Sequence, residues 1–234
     1  MIAAGRLRDW ILLLVCNLIW ASQFAMVKLV QQQMGPLFAV TFPMALATFM
    51  LVPLVRRGRA GRSRMPAADV WRFVLIGVAG QVVAQLFITW GVRLSLASNA
   101  ALLTLALPVT TAVMAYLLLG ERMTRLRWAS FGLAIAGVLA CSGVDWSELN
   151  LTSKSYLLGN CMIFLSVCGS AFYNVYSKKL LERYSPLEVL LYSYYAVCAL
   201  LVPITAAVEP RGFLDVPHYS WTVWIGLLIL AAFQ

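Results

Sequence analysis

The sequence predicts an all-α polytopic membrane protein on three observations: its composition, its long apolar runs and the placement of its basic residues. Of the 234 residues, 62% are hydrophobic and 12% are charged, whereas soluble domains have roughly 45–50% apolar and about 25% charged residues. A soluble core of this size could not bury so much apolar surface. Soluble enzymes, disordered proteins and disulfide scaffolds are therefore excluded.

The apolar runs correspond to about eight membrane spans, because a spanning helix needs about 20 mostly apolar residues. Short loops with proline, glycine or charged residues separate the runs. The runs are continuous rather than alternating, which disfavours an outer-membrane barrel. In chain order, the predicted spans are Trp10–Val30, Leu37–Val55, Val70–Val92, Leu96–Leu119, Arg127–Val144, Tyr156–Tyr176, Leu187–Val208 and a last one that opens at Ser220.

The basic residues predict the orientation. With these spans, fourteen of the 18 Lys and Arg residues fall on one side of the membrane. Because cytoplasmic loops carry an excess of Lys and Arg, we expect a cell-membrane protein whose N-terminus and Arg56–Arg64 loop are cytoplasmic. Nucleic acid is not an expected partner, since binding it would need a basic face on a soluble fold. A signal peptide is the alternative for the first segment, where Arg6 and Arg8 precede an apolar stretch.

An internal repeat predicts the architecture and the class of function. When the chain is shifted by 150 residues, a series of positions matches without a gap: Lys28 with Lys178, Pro36-Leu37 with Pro186-Leu187, Leu51-Val52-Pro53 with Leu201-Val202-Pro203, and Trp71 with Trp221. Five spans separate equivalent helices, and because five is odd, the second copy is inverted in the membrane. Inverted repeats are a recurrent construction of secondary transporters, which bind substrate near the midplane between the repeats.

The repeats are expected at residues 9–145 and 156–234. The second repeat is expected to be incomplete, since the residues from Ser220 to Gln234 are too few for a full span. We therefore expect the sequence to be a fragment that lacks the rest of its eighth helix and further helices.

Several motifs carry a resemblance to a known family: Leu96–Leu103 with Pro108, the junction Leu119–Thr124 followed by Trp128 and residues 132–137, Ile19–Phe24 with Lys28, and Gly159 to Pro203. Together they resemble the EamA-type transporters of the drug/metabolite transporter superfamily over nearly the whole chain. The resemblance implies ten helices in two inverted five-helix units that export or exchange small metabolites. Many members carry an arginine in the second helix, where this chain has Pro43 after Phe42, so no role of that arginine carries over.

Polar and aromatic residues inside the spans are the candidates for substrate contacts, because polar groups within a membrane usually face the bundle interior or a wet cavity. These candidates are Asn17, Trp20, Phe24, Gln81, Gln85, Asn99, Tyr173, Asn174, Tyr192 and Tyr195. Their combination would suit an aromatic, amphipathic or cationic solute. Helix packing and hydrogen bonds between helices are the alternative explanation. Pro108 predicts a kink or gate in the fourth span, because proline removes a backbone hydrogen bond.

The groups that enzymes and metal sites need are missing from the spans. The chain has one His and five Cys without a CxxC motif, so we expect no metal and no cofactor. Glu121 lies between Gly120 and several arginines at a helix end, which predicts a loop contact rather than a proton carrier.

The resulting prediction is a secondary transporter of a small organic metabolite, such as an amino acid or an amphipathic cation, and not an enzyme. A non-transporting membrane subunit and an intramembrane lipid-modifying enzyme are the alternatives. The expected partners are the small-molecule substrate and the lipid bilayer. A homodimer stays open as a further partner, with the small-residue row Gly132, Ala136 and Ala140 serving helix assembly.

Overall fold

The computed structural model describes residues 2–58, 65–141 and 156–233, and in these ranges the chain folds into helices joined by short loops, with no strand. The helices are α1 (Ile2–Val30), α2 (Pro36–Gly58), α3 (Ala67–Leu75), a π-helix (Ile76–Val82), α4 (Val83–Leu94), α5 (Ala97–Thr104), α6 (Leu107–Leu119), α7 (Arg125–Cys141), α8 (Leu157–Leu181), α9 (Pro186–Val208), α10 (Pro210–Leu214), a short 3₁₀ turn (Val216–His218) and α11 (Trp221–Phe233).

The predicted class of all-α polytopic membrane protein is confirmed. Six stretches of the described chain are long and apolar enough to cross a membrane: Arg8–Val30, Pro36–Arg56, Ala67–Leu94, Ser98–Leu119, Leu157–Leu181 and Pro186–Val208. The remaining two predicted spans coincide with α7 and α11, whose described parts are shorter. The end of the predicted span Arg127–Val144 lies outside the described residues. We call the side of the membrane that carries Arg56, Arg122 and Lys178 the basic side.

The third span is one continuous rod with a wide turn in its middle. The π-helix joins α3 to α4 and packs against both α8 and α9. Two of its glycines make this approach close. A Cβ added to Gly77 would lie 2.6 Å from the carbonyl oxygen of Ser193, and one added to Gly80 would lie 2.9 Å from the Cβ of Tyr173. A larger side chain at either position would push the helices apart.

The fourth span is broken where the sequence contains Pro108. Between α5 and α6, the N–H groups of Leu105 and Ala106 bond to the carbonyls of Leu102 and Leu103, each three residues back. Pro108 sits in the first turn of α6, a position that tolerates its missing N–H. The predicted break in this span is therefore present, while its role as a gate stays a prediction.

The packing of the spans can be compared with the predicted repeat. Helices α2 and α9 begin at Pro36 and Pro186 and end at Gly58 and Val208, so both ends are shifted by the repeat length. Helix α1 packs against α11, and its counterpart α8 packs in the same way against the third span. Helix α2 crosses its own counterpart α9.

Two positions that the predicted repeat makes equivalent touch at this last crossing. The Thr48 hydroxyl lies 3.5 Å from the Cys198 thiol, and the two residues are 150 positions apart, which makes them equivalent in the repeat. On the same two helices, the hydroxyls of Thr41 and Thr205 form a buried hydrogen bond of 2.7 Å. The first and second halves of the chain therefore meet along a shared interface.

Candidate functional site

A cavity of about 60 Å³ lies between α1, α4, α5, α6 and α8, and so it is bounded by helices of both halves. Gln23 lies seven residues before the end of α1 at Val30, and Gln85 lies nine residues before the end of α4 at Leu94. With a rise of about 1.5 Å per residue, both side chains start roughly 10–14 Å below the helix ends. In a hydrocarbon core about 30 Å thick, this depth is close to the midplane.

The lining of the cavity is half polar and half apolar. The polar side chains are Gln23, Gln85, Thr104, Ser166 and Ser170, and the apolar ones are Phe24, Ala84, Ile88, Leu107 and Val167. Every one of these residues is uncharged. The cavity therefore offers hydrogen bonds on one part of its wall and apolar contact on the other.

A pair of amides joins two of the helices at this cavity. Gln23 is buried, and its Nε2 donates to Oε1 of Gln85 over 3.3 Å. An amide has two N–H donors and an oxygen with two lone pairs, so this single bond leaves hydrogen-bonding capacity on both residues. A solute in the cavity could use that capacity.

Some of the candidate residues lie at the cavity and others do not. Phe24 and Gln85 line it. The buried Gln81 lies one turn away, and the Tyr173 side chain forms hydrogen bonds with Gln81 and Ser193. Asn17 is exposed, and its amide donates to the carbonyl oxygen of Leu13 in its own helix over 2.8 Å.

Of the others, Asn99 is completely buried in a separate polar cluster, while Asn174 and Tyr195 are exposed. Tyr192 packs its ring against Phe73 at 5.1 Å. Trp20 belongs to α1, but its side chain lies outside the described residues. The substrate-binding roles of all ten residues stay predictions.

Four polar lining residues were not among the candidates: Gln23, Thr104, Ser166 and Ser170. Serine and threonine are frequent at ordinary helix contacts in membranes, so their residue type did not identify them as substrate-contact candidates. The spacing did contain a signal, because Ser166 and Ser170 lie one turn apart on the same face of α8. The repeat contained another, because Gln23 is the counterpart of Tyr173.

The third span is anchored to the second half at the basic side. Asp69 is only 2% exposed. Its Oδ2 accepts a hydrogen bond of 2.9 Å from the Tyr184 hydroxyl, and its Oδ1 accepts one of 3.0 Å from Nη1 of Arg72. The rings of Tyr184 and Tyr192 each lie 5.1 Å from that of Phe73. This cluster ties α3 to α9 and to the turn that precedes α9.

The opposite side is held by a carboxylate at a helix start. Glu209, just after α9, accepts hydrogen bonds from the N–H of Phe38 at 2.9 Å and of Leu37 at 3.3 Å. These N–H groups belong to the first turn of α2, where the helix dipole favours a negative charge. Nearby, burial raises the pKa of Tyr219, and the negative charges of Asp215 and Glu209 raise it further.

The predicted loop contact of Glu121 is present. Its carboxylate lies in the loop after α6 and pairs with Nζ of Lys178 at 3.1 Å, with both side chains about half exposed. The pair connects the end of the fourth span to the end of the sixth at the basic side. Among the described residues, no group of three His, Cys, Asp or Glu side chains is arranged to hold a metal ion.

Comparison with known proteins gives a family and two relatives. Residues 9–143 and 157–234 match the profile described as "EamA-like transporter family". The chain is 29% identical over 211 residues to a "Probable terminal-alkyne amino-acid exporter" of Streptantibioticus cattleyicolor, an alignment that covers 89% of this chain and 68% of that protein. It is 21% identical over 184 residues to an "Uncharacterized transporter" of Archaeoglobus fulgidus, covering 78% of this chain and 62% of the relative. The chain spans about two thirds of the length of the curated relatives it matches.

Proposed function

The chain belongs to the EamA-like transporter family, and on this premise we propose that it exports a small amphipathic metabolite of the amino-acid class by alternating access. The family and the two relatives are named as transporters, so the chain is a membrane transporter and not an enzyme. The observation that carries the finer proposal is the uncharged, half-polar cavity near the midplane, bounded by helices of both repeats.

The chemistry of the lining favours a solute without net charge. An isolated ion is costly to bury unless a group of opposite charge compensates it, and every lining residue is uncharged. A zwitterion carries both charges itself, so it needs only dipoles around it. The amides of Gln23 and Gln85 and the hydroxyls of Ser166 and Ser170 can supply donors and acceptors. The ring of Phe24 can accept an ammonium group on its face.

The apolar half of the wall would hold the side chain of the solute. Ile88, Leu107 and Val167 provide this surface. At about 60 Å³ the cavity has room for a few water molecules, whereas ligand pockets typically measure about 300–1,000 Å³. Binding therefore requires the spans to move apart. In the proposed cycle, separation of the Asp69 cluster gives access to the cavity from the basic side. Release of the Glu209 contact gives access from the opposite side, and the two events alternate.

The orientation rests on the distribution of basic residues. We place the protein in the cell membrane with its N-terminus in the cytoplasm, since cytoplasmic loops retain Lys and Arg. In a cysteine-free background, a single cysteine at position 147 should react with a membrane-impermeant reagent applied to intact cells. A cysteine at position 63 should not, and its labelling from outside would reverse the orientation.

The experiment that tests the function is export from loaded vesicles or cells, screened over neutral amino acids, charged amino acids and amphipathic cations. Gln85→Ala and Ser170→Ala should each lower export about tenfold, because each removes a hydrogen bond worth about 1.4 kcal/mol in the solute complex. Ser130→Ala is the matched control: its hydroxyl is exposed on α7 and bonds only to the carbonyl oxygen of Leu126 within the described structure.

The charge argument has its own test. Gln85→Glu adds a negative charge to the cavity and should shift preference from zwitterions towards cations. Transport of amphipathic cations but not of neutral amino acids by the parent protein would overturn the proposed substrate class. An absence of transport for every solute, by a protein that inserts and folds, would favour a non-transporting membrane subunit.

A further inference from the structure

Hydrogen bonds link three polar side chains on three helices close to the cavity. Tyr173 of α8 forms hydrogen bonds with Gln81 of the π-helix and with Ser193 of α9. The Ser193 hydroxyl donates its own proton to the carbonyl oxygen of Leu190 over 2.8 Å, so it accepts from the Tyr173 hydroxyl. The phenol oxygen in turn accepts from the Gln81 amide. We call Gln81, Tyr173 and Ser193 the Tyr173 network.

The Tyr173 network lies on the basic side of the cavity. On α8, the cavity residue Ser170 comes three positions before Tyr173, and the helix continues to Lys178 at the basic side. On the third span, which starts at the basic side, the cavity residue Gln85 comes four positions after Gln81. With a rise of about 1.5 Å per residue, the network is displaced roughly 4–6 Å from the cavity lining towards the basic side.

The network joins the two halves of the chain at this depth. Gln81 belongs to the first half, and its partners belong to the second. Ser193 is 0% exposed and Gln81 is 9% exposed, so the hydrogen bonds are shielded from solvent. Gly80 allows the close approach, because a Cβ there would lie 3.2 Å from the Cα of Tyr173. A solute that moves along this face of α8 towards the basic side has to break the network.

The predicted repeat gives the network no equivalent on the opposite side. A shift of 150 residues pairs its three members with the following positions: Tyr173 with Gln23, Gln81 with Ala231, and Ser193 with Pro43. Alanine and proline side chains have neither a donor nor an acceptor. When the opposite side closes in the same way, the counterparts therefore cannot form a corresponding set of hydrogen bonds.

The glycines of the π-helix show the same difference between the halves. Gly77 and Gly80 pair with Leu227 and Leu230 of α11, which are both buried. Apolar contacts between helices gain little in a bilayer, because lipid tails are as apolar as leucine, whereas hydrogen bonds between helices add to their association. Closure of the basic side is therefore favoured over closure of the opposite side.

From this asymmetry we infer that the Tyr173 network biases the solute-free transporter towards the state that is closed on the basic side. Tyr173 is then a positioning residue, because it sets the populations of the two states through the helices that it joins. The bias limits how often the empty cavity is accessible to solutes on the basic side. The inference rests on the proposed alternating access.

The test measures from which side the cavity can be reached. A single cysteine replaces the cavity residue Ser166 in a cysteine-free background, and a charged, membrane-impermeant thiol reagent is applied to either face of sealed vesicles without solute. A cysteine at position 63 identifies the vesicle face that corresponds to the basic side, whatever the orientation in the cell. The cysteine at position 166 should react slowly from the basic side and faster from the opposite side.

Variants connect this difference to the network. Tyr173→Phe removes both hydrogen bonds of the phenol and keeps the ring. Each hydrogen bond between helices in a membrane shifts an equilibrium about threefold, so labelling from the basic side should become about five- to tenfold faster. Ser193→Ala and Gln81→Leu each remove one bond and should accelerate it about threefold. The control Tyr116→Phe, at an exposed tyrosine of α6, should react at the parent rate.

Three outcomes overturn the inference. One is labelling of Tyr173→Phe from the basic side at the parent rate. Another is an equal acceleration from both sides, which would mean that the substitution only loosens the packing. The third is a parent protein that reacts equally fast from both sides.

These outcomes are distinguishable from a failure of the proposed function. Because no solute is present, each of them is compatible with export by the parent protein. A cavity cysteine that reacts from neither side, in a folded protein that exports no solute, would contradict the proposed function and the inference with it.

Discussion

The replacement Gly169→Ala should destabilise the protein, although alanine is the better helix former. Gly169 lies in the middle of α8, where that helix touches the third span. A Cβ at this position would lie 2.8 Å from the backbone nitrogen of Ala84 and 3.0 Å from the carbonyl oxygen of Gly80. Both contacts are with backbone atoms, which cannot rotate away as a side chain could. Relief therefore requires the two helices to separate.

The magnitude follows from two opposing terms. Carbon contacts are favourable from about 3.5 Å, so the helices must separate by roughly 0.7 Å. Overpacking of this kind costs about 1–3 kcal/mol, and the upper end applies because the obstacle is backbone. Alanine gains about 1 kcal/mol over glycine in helix propensity. The net expectation is a loss of about 2 kcal/mol in the free energy of unfolding.

The chain offers a matched control for the same substitution. Gly132 lies in α7, and a Cβ there would meet nothing within 4 Å among the described residues. Gly132→Ala should therefore keep the propensity gain and stabilise the protein by up to about 1 kcal/mol. Unfolding by a denaturing detergent, followed by tryptophan fluorescence, measures both variants. If Gly169→Ala proves as stable as Gly132→Ala, the close approach of α8 and the third span is wrong.

Three further predictions concern the two ends of the bundle. Asp69→Asn should lower the free energy of unfolding by about 2 kcal/mol, because hydrogen bonds to a buried charge are lost. The control Asp9→Asn, in an exposed pair with Arg8, should change it little. Equal effects of the two substitutions would contradict the role of Asp69 as an anchor of the third span. Glu209→Gln should cost about 1 kcal/mol through the α2 dipole, with less effect at high salt, whereas a cost that salt does not reduce would exclude the electrostatic explanation. The pKa of Tyr219 is raised in the folded protein, so its neutral phenol stabilises the fold at pH values below the unfolded-state pKa near 10. This stabilisation is lost as the pH rises through the unfolded-state pKa towards the folded-state pKa. Alkaline unfolding should therefore be shallower in Tyr219→Phe, and a profile as steep as the parent's would refute the assignment.

The spans could be predicted from the sequence because the length of an apolar run is a direct physical requirement of the bilayer. The break near Pro108 could also be predicted, since proline cannot donate the backbone hydrogen bond that a continuous helix needs in the middle of a span. The π-helix at Ile76–Val82 could not. Its residues have the pattern of an ordinary apolar helix, and the close approach of Gly77 to α9 and of Gly80 to α8 depends on the tertiary packing.

The site was less accessible to sequence reasoning than the fold. Phe24 and Gln85 are large enough to stand out in a span, and both line the cavity. The tyrosines stood out for the same reason, yet Tyr192 packs with the ring of Phe73 at the basic side. Which helix faces a given side chain depends on the tertiary packing of the spans. An aromatic residue packs equally well in a core or at a cavity. Small hydroxyl side chains such as Ser170 are even harder to identify as cavity-lining residues from the sequence.

The contact between Thr48 and Cys198 has a consequence for anyone who wants to watch this protein move. If transport exchanges the conformations of the two repeats, each residue takes over the surroundings of its counterpart. Two counterparts that touch each other take each other's place, so the distance between them stays the same. A pair of spectroscopic labels at these two positions should therefore report one distance throughout the cycle and serve as an internal standard. Labels at Ser95 and Asn160, which are not counterparts, should report two.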